Sequence, residues 1–322
     1  MATSAGIEII ALEEHYWDTV ITDTFKGRNS TRRGPLLDRL YDLGELRLKE
    51  MDSAGIDIQV LSHGAPSAQR LDAEAGPGLA EEANNKLYAT VQSNPERFAA
   101  FAALATANPE VAADELERCV KELGFKGAMI HGLTNGKFCD GKEYWPIYAR
   151  AEALGVPIYL HPGFPHDDVV AAYYEDYLED FPAFATAGWG YTVETATQAI
   201  RMVLSGVFDE YPKLQMILGH MGETLPFLLW RVNQALSRVE NVQTRSFREI
   251  FEAHFHITTS GNFSNPALLC TVQEMGVDRI MFSVDYPFVE NQPAKDWAEQ
   301  LNFCLEDRKK MLNGNVRRLL KF

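Results

Sequence analysis

Basic residues are scarce in this sequence. Its 322 residues include 30 Lys and Arg against 45 Asp and Glu, so the formal net charge is −15. Proteins that follow a nucleic-acid backbone need clustered cations to neutralise the phosphates. The one dense basic run, Arg28 to Arg33, is followed by Gly and Pro and is interpreted as a solvated loop. The charge balance therefore argues against a nucleic-acid partner.

Cysteine is also rare, and long apolar runs are missing. Cys119, Cys139, Cys270 and Cys304 include no close pair of the kind that builds a zinc knuckle or a redox dithiol. A reducing compartment is the simplest interpretation of such spacing. No apolar stretch approaches the roughly 20 residues that a membrane helix requires, and Met1 to Ile10 lacks a basic leader. We therefore expect a cytoplasmic protein with no membrane partner.

The overall composition is that of an ordinary globular protein. Apolar residues make up 46% of the chain and charged residues 23%, which excludes disorder for most of its length. At roughly 100–200 residues per domain, the length fits one or two domains, and α/β barrels often exceed about 250 residues as one domain.

Eight short β-branched and apolar runs alternate with segments of helical periodicity. The predicted strands are Glu8 to Glu13, Asp57 to Ser62, Phe98 to Leu104, Gly127 to His131, Pro157 to His161, Leu214 to His220, Phe255 to Ser260 and Arg279 to Asp285. The predicted helices include Leu36 to Asp52, Leu79 to Ser93, Pro109 to Leu123, Trp145 to Leu154, Thr192 to Phe208 and Leu225 to Val239. Eight strand-then-helix units predict a single α/β domain over residues 1–322, a (β/α)8 TIM barrel. A doubly wound open sheet is the alternative.

The lengths of the connections predict where the site lies. Helix-to-strand links are short and often contain a glycine suited to a left-handed helix cap, such as Gly55 and Gly155. Three strand-to-helix links are much longer, at Tyr16 to Pro35, Gly132 to Tyr144 and Pro162 to Tyr191. Extended βα loops therefore gather on the face where barrels carry their chemistry. The last of these loops is rich in aromatic residues and is interpreted as either a lid or a subunit contact.

The first strand ends in a short polar motif, Glu13-Glu14-His15. Side chains two positions apart project to the same side of a strand, so Glu13 and His15 can converge on one ion while Glu14 points away. Taken alone, the motif is more simply a polar strand end.

Three further apolar strands finish in residues that can bind a metal or move a proton, namely His161, His220 and Asp285. Any one of them is ordinarily a strand-end polar group satisfied by backbone amides. Together with the first strand, four strands therefore end in such residues at the same end of the barrel. That pattern favours a shared metal site.

Several motifs carry a family resemblance across nearly the whole chain. They are Ala11-Leu12-Glu13-Glu14-His15, Leu160-His161-Pro162, Gly219-His220-Met221-Gly222-Glu223, Trp230-Arg231, Ile257-Thr258-Thr259-Ser260-Gly261 and Phe282-Ser283-Val284-Asp285-Tyr286-Pro287-Phe288. The sequence resembles the metal-dependent amidohydrolase superfamily. Within it, the likeness is to the branch of aminocarboxymuconate-semialdehyde decarboxylase and the nonoxidative hydroxybenzoate decarboxylases, such as γ-resorcylate and 2,3-dihydroxybenzoate decarboxylase.

The resemblance implies a ligand set and a neighbouring pair. It implies that one divalent cation is held by Glu13, His15, His161 and Asp285. It also implies that His220 and Glu223 form a hydrogen-bonded pair beside the ion, and that Arg231 meets an anionic part of the substrate. Two carboxylates and two neutral imidazoles would neutralise a divalent ion, and the oxygen donors favour Mn²⁺ or Mg²⁺, with Zn²⁺ as an alternative.

The resemblance also implies a reaction. An ortho-hydroxybenzoate would chelate the ion, and a positioned acid would protonate the ring carbon so that CO₂ leaves. Asp285 is the first candidate for that acid, and His220, oriented by Glu223, is the second. No organic cofactor is expected, and the partners are a small carboxylic acid and other copies of the chain, as a dimer or tetramer.

Three more residues are candidate substrate contacts. Phe288 follows Asp285 and can stack on an aromatic ring, although packing is the more ordinary role. His63 and His131 follow or end predicted strands and can face the mouth of the barrel.

One departure from the family pattern affects the predicted substrate. The hydroxybenzoate decarboxylases are expected to carry an Arg-Asn pair after His-Pro, where this chain has Gly163-Phe164. The departure leaves the metal site intact and predicts a less anionic substrate or another binding orientation. A lactone or amide hydrolase is the alternative function, because the same ligand set could present a metal-bound hydroxide. A binding protein without catalysis is a third, less favoured interpretation.

Overall fold

The structure is a computed structural model that describes residues 6–25, 34–239 and 244–322. The basic run from Arg28 to Arg33 lies outside the described residues, so its interpretation as a solvated loop stays a prediction.

In the described ranges, nine short strands pair in parallel. They are β1 (Ile10–Tyr16), β2 (Ile58–His63), β3 (Phe98–Ala100), β4 (Ala102–Ala103), β5 (Ala128–His131), β6 (Ile158–His161), β7 (Met216–Leu218), β8 (Phe255–Thr258) and β9 (Ile280–Met281). The hydrogen-bonded order is β1-β2-β3 in one sheet and β4 through β9 in the other.

The two sheets join at both edges. β3 and β4 are one predicted strand interrupted at Phe101, whose amide donates to the Leu61 carbonyl at 2.9 Å. At the other seam, Leu12 and Ser283 form a parallel bridge, and the Leu12 amide donates to the Phe282 carbonyl at 3.3 Å. Eight strand positions therefore close into the predicted TIM barrel.

Helices follow the strands on the outside of the barrel. They are α1 (Thr19–Thr22), α2 (Pro35–Tyr41), α3 (Glu45–Ala54), α4 (Gly76–Ser93), α5 (Pro109–Lys121), α6 (Trp145–Leu154), α7 (Asp167–Val169), α8 (Gly190–Leu204), α9 (Val207–Glu210), α10 (His220–Glu223), α11 (Leu225–Leu236), α12 (Phe247–His254), α13 (Asn265–Met275), α14 (Asn291–Glu299), α15 (Leu305–Lys309) and α16 (Asn315–Leu320). Left-handed caps end α3 at Gly55 and α6 at Gly155, as predicted. None of these helices, within the part of the chain described, has the length and apolar character that crossing a bilayer demands.

Two apolar cores hold the barrel in shape. One lies inside the strands and includes Ile10, Val60, Met129, Ile217 and Met281, all almost completely buried. The larger core lies between the strands and the surrounding helices. Burying one such aliphatic side chain contributes about 1.5–3 kcal/mol. The packed interior leaves the ends of the strands as the place for a site.

Several predicted strands end earlier than expected, and two of them end before a predicted site residue. The strand predicted to run to His220 ends at Leu218, and the strand predicted to run to Asp285 ends at Met281. Both His220 and Asp285 have positive φ, at 50° and 73°, which breaks the extended ladder. These two residues therefore lie beyond the ends of their strands.

Candidate metal centre and active site

The structure brings the four predicted ligands together at the carboxyl ends of β1, β6 and β9. Glu13, His15, His161 and Asp285 each offer one ligand atom, and these atoms all lie within 4.8 Å of one another. The Nε2 atoms of His15 and His161 are 3.1 Å apart. Glu13 Oε1 lies 3.1 Å from His161 Nε2, and Asp285 Oδ1 lies 3.4 Å from His15 Nε2. Residues almost the full length of the chain apart thus share one small volume.

The donor set fits a divalent cation. Glu13 Oε1 and Asp285 Oδ1 are both buried, and neither accepts a well-directed hydrogen bond. Burying two carboxylates side by side is costly unless a positive charge balances them. Burial also lowers the pKa of His15, which favours its neutral, metal-binding form. Two carboxylates and two neutral imidazoles would balance a divalent ion that prefers oxygen and nitrogen ligands.

The second oxygen of Glu13 is held by hydroxyl groups. Tyr159 Oη and Ser260 Oγ both donate to Glu13 Oε2, and Tyr159 Oη also lies 2.7 Å from Thr258 Oγ1. A Cβ atom on Gly219 would lie 2.6 Å from the same Glu13 oxygen, so only glycine leaves room for the carboxylate. These contacts fix which oxygen of Glu13 faces the other ligands.

Sequence reasoning missed this supporting set, although a signal was present. Tyr159 precedes His161 by two positions on β6 and therefore shares its side of the strand. Ser260 lies in the quoted Thr-Thr-Ser-Gly motif. Glu14, in contrast, behaves as predicted: its carboxylate points away and accepts from the Val284 amide at 2.9 Å.

Much of the site is built on strained backbone. Glu13, His220, Glu223 and Asp285 all have left-handed conformations, with φ of 59°, 50°, 52° and 73°. This region costs a residue with a Cβ atom roughly 1–2 kcal/mol. Such strain persists where the surrounding structure fixes it, and it gathers at functional sites.

His220 and Glu223 form the predicted pair beside the ligands. His220 Nδ1 lies 2.7 Å from Glu223 Oε1, and Glu223 is buried. His220 Nε2 lies 3.5 Å from Glu13 Oε1 and 3.7 Å from Asp285 Oδ2. Burial lowers the pKa of His220, but the Glu223 and Glu13 carboxylates outweigh it and hold that pKa well above its ordinary value. The charged form of His220 is therefore favoured beside the ligand cluster.

A cavity of about 1000 Å³ opens over this cluster. His161, His220 and Asp285 line its floor. The wall includes Phe288, whose ring centre lies 5.5 Å from that of His15. Other lining residues include Pro162, Thr186, Tyr191, Met221, Pro226, Phe227, Phe263, Ala267 and Val289. The cavity is large enough for a substituted aromatic acid, and the end of the long 162–191 loop forms part of its wall.

Three predicted substrate contacts lie elsewhere. His63 and His131 are each only 2% exposed and are not among the described residues that line the cavity. Burial lowers the pKa of His63 to about 4 and that of His131 well below its ordinary value, so both rings are neutral. Arg231 is exposed on α11 and does not line the cavity. Of the four predicted substrate contacts, the structure places Phe288 alone at the cavity.

Comparison with known proteins agrees with this geometry. A family model described as amidohydrolase matches residues 14–322. γ-Resorcylate decarboxylase from Rhizobium sp. (strain MTP-10005) is 38% identical, over 97% of this chain and 98% of the relative. The structure of a dihydroxybenzoic acid decarboxylase from Polaromonas sp. JS666, with bound manganese and the inhibitor 2-nitroresorcinol, has a TM-score of 0.88 and 37% identity, covering 98% and 97% of the two chains. The structure of 5-carboxyvanillate decarboxylase from Sphingomonas paucimobilis has a TM-score of 0.92 at 33% identity, covering 98% of this chain and all of the other.

The chain belongs to the amidohydrolase family. The relatives confirm the predicted resemblance to the hydroxybenzoate decarboxylases. They also confirm the predicted fold and the predicted enzyme class, a metal-dependent carboxy-lyase.

Proposed function

We propose that this protein is a metal-dependent, nonoxidative decarboxylase of an ortho-hydroxybenzoate. The observation that carries the proposal is the convergence of two carboxylates and two imidazoles, Glu13, Asp285, His15 and His161, below an aromatic-walled cavity. The carboxy-lyase relatives, one of them with manganese and a resorcinol-type inhibitor bound, favour Mn²⁺ and a phenolic acid.

The ligand cluster and the cavity wall bind different parts of the substrate. A divalent cation held by the four ligands would supply positive charge that orients the substrate and keeps its phenolic oxygen ionised. Phe288 packs against the aromatic ring and, with the apolar wall, excludes water from the reacting carbon.

The chemical step moves one proton. Burial raises the pKa of Asp285, but contacts with His15 and His220 outweigh it and hold that pKa below its ordinary value, so Asp285 is ionised at rest. It is protonated only transiently, and in that form it donates the proton to the ring carbon that bears the carboxylate. The bond between that carbon and the carboxylate then breaks, its electron pair returns to the ring, and CO₂ leaves as aromaticity is restored. His220 Nε2 lies 3.7 Å from Asp285 Oδ2 and supplies the proton that Asp285 delivers, while Glu223 stabilises the charged form of His220.

The test is a CO₂-release screen of the purified enzyme. Salicylate, 2,3- and 2,6-dihydroxybenzoate and a muconate-type acid are each offered with Mn²⁺ or Zn²⁺ supplied separately. We expect at least one hydroxybenzoate to give equal amounts of CO₂ and the corresponding phenol, and we expect carboxylation of that phenol at high bicarbonate. Metal-free enzyme is the control.

The hydrolase alternative predicts a different mass balance. A lactone or amide would take up one water and give a ring-opened acid or two fragments, with no CO₂. That result, together with no CO₂ release from any acid in the screen, would overturn the proposal that the protein is a decarboxylase.

The exposed side of α11 is the surface that we propose for self-association. Phe227 and Trp230 are 80% and 63% exposed, and Leu228 is also exposed. Neighbouring exposed apolar side chains mark protein contact surfaces. Arg231 lies on the same helix, so we propose that its substrate role depends on another copy of the chain.

We expect Trp230→Glu to shift the protein toward the monomer, because a buried charge would face an apolar surface at the contact. Light scattering after size-exclusion chromatography measures the mass. The matched control is Val111→Glu, which places the same charge at an exposed apolar position on α5. Unchanged mass for both variants would remove α11 from the contact.

We also propose that the protein works in the cytoplasm. Cys119, Cys139, Cys270 and Cys304 are all free thiols. A reducing compartment maintains thiols in that state.

A further inference from the structure

We propose that His131 is a positioning residue for the ligand His161: it accepts the Nδ1 proton of His161 and thereby presents the lone pair of His161 Nε2 to the cation. This role differs from the substrate contact predicted for His131. It rests on the metal site of the proposed function and does not depend on the substrate.

The hydrogen bonds of His131 determine which of its nitrogens carries the proton. Its Nε2 lies 2.7 Å from the carbonyl oxygen of His63, and its Nδ1 lies 2.7 Å from His161 Nδ1. A carbonyl oxygen only accepts, so Nε2 must be the donor. Two N–H groups cannot face each other across 2.7 Å, and His161 Nδ1 also faces the Pro162 carbonyl, which needs a donor, so His131 Nδ1 is left as the acceptor.

The proton between the two rings therefore belongs to His161. Its Nδ1 also lies 2.7 Å from the carbonyl oxygen of Pro162, which can only accept as well. With the proton on Nδ1, Nε2 of His161 is free to bind a cation, and this is the nitrogen that lies 3.1 Å from Glu13 Oε1. The ring of His131 thus fixes both the tautomer and the tilt of a metal ligand.

The backbone is shaped to let these two rings meet. His131 and His161 are register partners on the parallel strands β5 and β6, and their ring centres lie 4.4 Å apart. The loops that follow touch at Gly132 and Gly163, where a Cβ on Gly163 would lie 2.8 Å from Gly132 Cα and 2.9 Å from the His131 carbonyl oxygen. A larger residue at 163 would push the two loops apart. This gives a structural reason for Gly163 at a position where the family pattern predicted Arg.

Both imidazole ligands are backed by neutral groups. His15 Nδ1 lies 3.1 Å from Ser62 Oγ, as His161 Nδ1 lies near His131. A carboxylate in those places would make the ligand more basic. Since Glu13 and Asp285 already contribute two negative charges, neutral partners leave more of the ion's charge for the substrate.

The test compares manganese binding by three variants, measured by isothermal titration calorimetry on metal-free protein. His131→Leu removes the acceptor, and we expect it to weaken Mn²⁺ binding by roughly 10–100-fold, the range for lost outer-shell partners. His131→Asn keeps an acceptor, because the amide oxygen can occupy the place of Nδ1, and should bind within a few-fold of wild type. His256→Leu is the matched control, since His256 is also a buried histidine on a strand but bonds to Gln215 and Arg279; we expect no change.

The proposal would be overturned if folded His131→Leu bound Mn²⁺ with an affinity within about twofold of wild type, because loss of an outer-shell partner should cost far more. Equal losses of Mn²⁺ affinity in His131→Leu and His131→Asn would also overturn it. Nitrogen-15 NMR of histidine-labelled, metal-free wild type needs no variant: we expect the proton of His131 on Nε2 and that of His161 on Nδ1, and the opposite tautomers would contradict the role. An enzyme that binds Mn²⁺ normally but releases no CO₂ would overturn the proposed function and leave this inference standing.

Discussion

Asp285→Asn should remove nearly all turnover while the barrel stays folded. Asn has the same shape as Asp but cannot deliver the proton that the ring carbon requires. Positioned acids typically contribute about 10²–10⁴ in rate, so we expect kcat to fall by at least that range, because the variant also loses a negative charge that balances the cation. Single-turnover CO₂ release at saturating Mn²⁺ measures the chemical step.

The variant is well suited to separate chemistry from folding. Asp285 has a φ of 73°, and Asn is among the residues that tolerate this left-handed region best. Thermal melting of the metal-free variant should therefore stay close to that of the wild type. Asp278→Asn, at an exposed position just before β9, is the matched control. Near-normal rates for Asp285→Asn would refute its assignment as the acid and leave His220 as the candidate.

His15→Ala and His161→Ala should each empty the metal site. Each variant removes one of the two imidazole ligands. The other imidazole and the two carboxylates would leave the coordination of the cation incomplete. Loss of an outer-shell partner alone costs roughly 10–100-fold in metal affinity, so removal of a direct ligand should cost at least as much. Elemental analysis after dialysis measures the metal per chain, and CO₂ release should fall in parallel.

A buried histidine outside the cluster controls for general damage to the fold. His256→Ala removes a histidine that is 5% exposed, at the start of β8, and should keep full metal content. Circular dichroism verifies that all three variants are folded. Full occupancy in both ligand variants would show that the four side chains do not form the metal centre.

The face that carries the candidate ligands was predictable because strand periodicity and barrel topology are local and general properties. An apolar run that ends in a polar residue marks the carboxyl end of a strand, and parallel strands place all such ends on one face. Glu13, His15, His161, His220 and Asp285 could therefore be named without coordinates as candidates on that face. The family resemblance then implied which four of them are the ligands. The family resemblance supplied the pairing of His220 with Glu223, which the structure reproduces at 2.7 Å.

The roles of the other histidines could not be predicted. His63 and His131 follow or end strands just as His161 does, and periodicity gives all three the same interpretation. Only the close approach at Gly132 and Gly163 places His131 behind His161 and out of the cavity. Arg231 differs from these histidines, because an arginine in that helix is ordinarily a surface or salt-bridging residue, and the structure does place it on the exposed side of α11.

The sequence by itself determined the alternation of strands and helices, the face that carries chemistry and the residue types that meet there, because these follow from spacing along the chain. The tertiary structure alone decided which oxygen of Glu13 is held by Tyr159 and Ser260, where the backbone turns left-handed, and which nitrogen of each imidazole faces the ligand cluster. Those features depend on hydrogen bonds and close packing between segments far apart in the chain. Such contacts are set by three-dimensional geometry to within a few tenths of an ångström, and spacing in sequence carries no record of them.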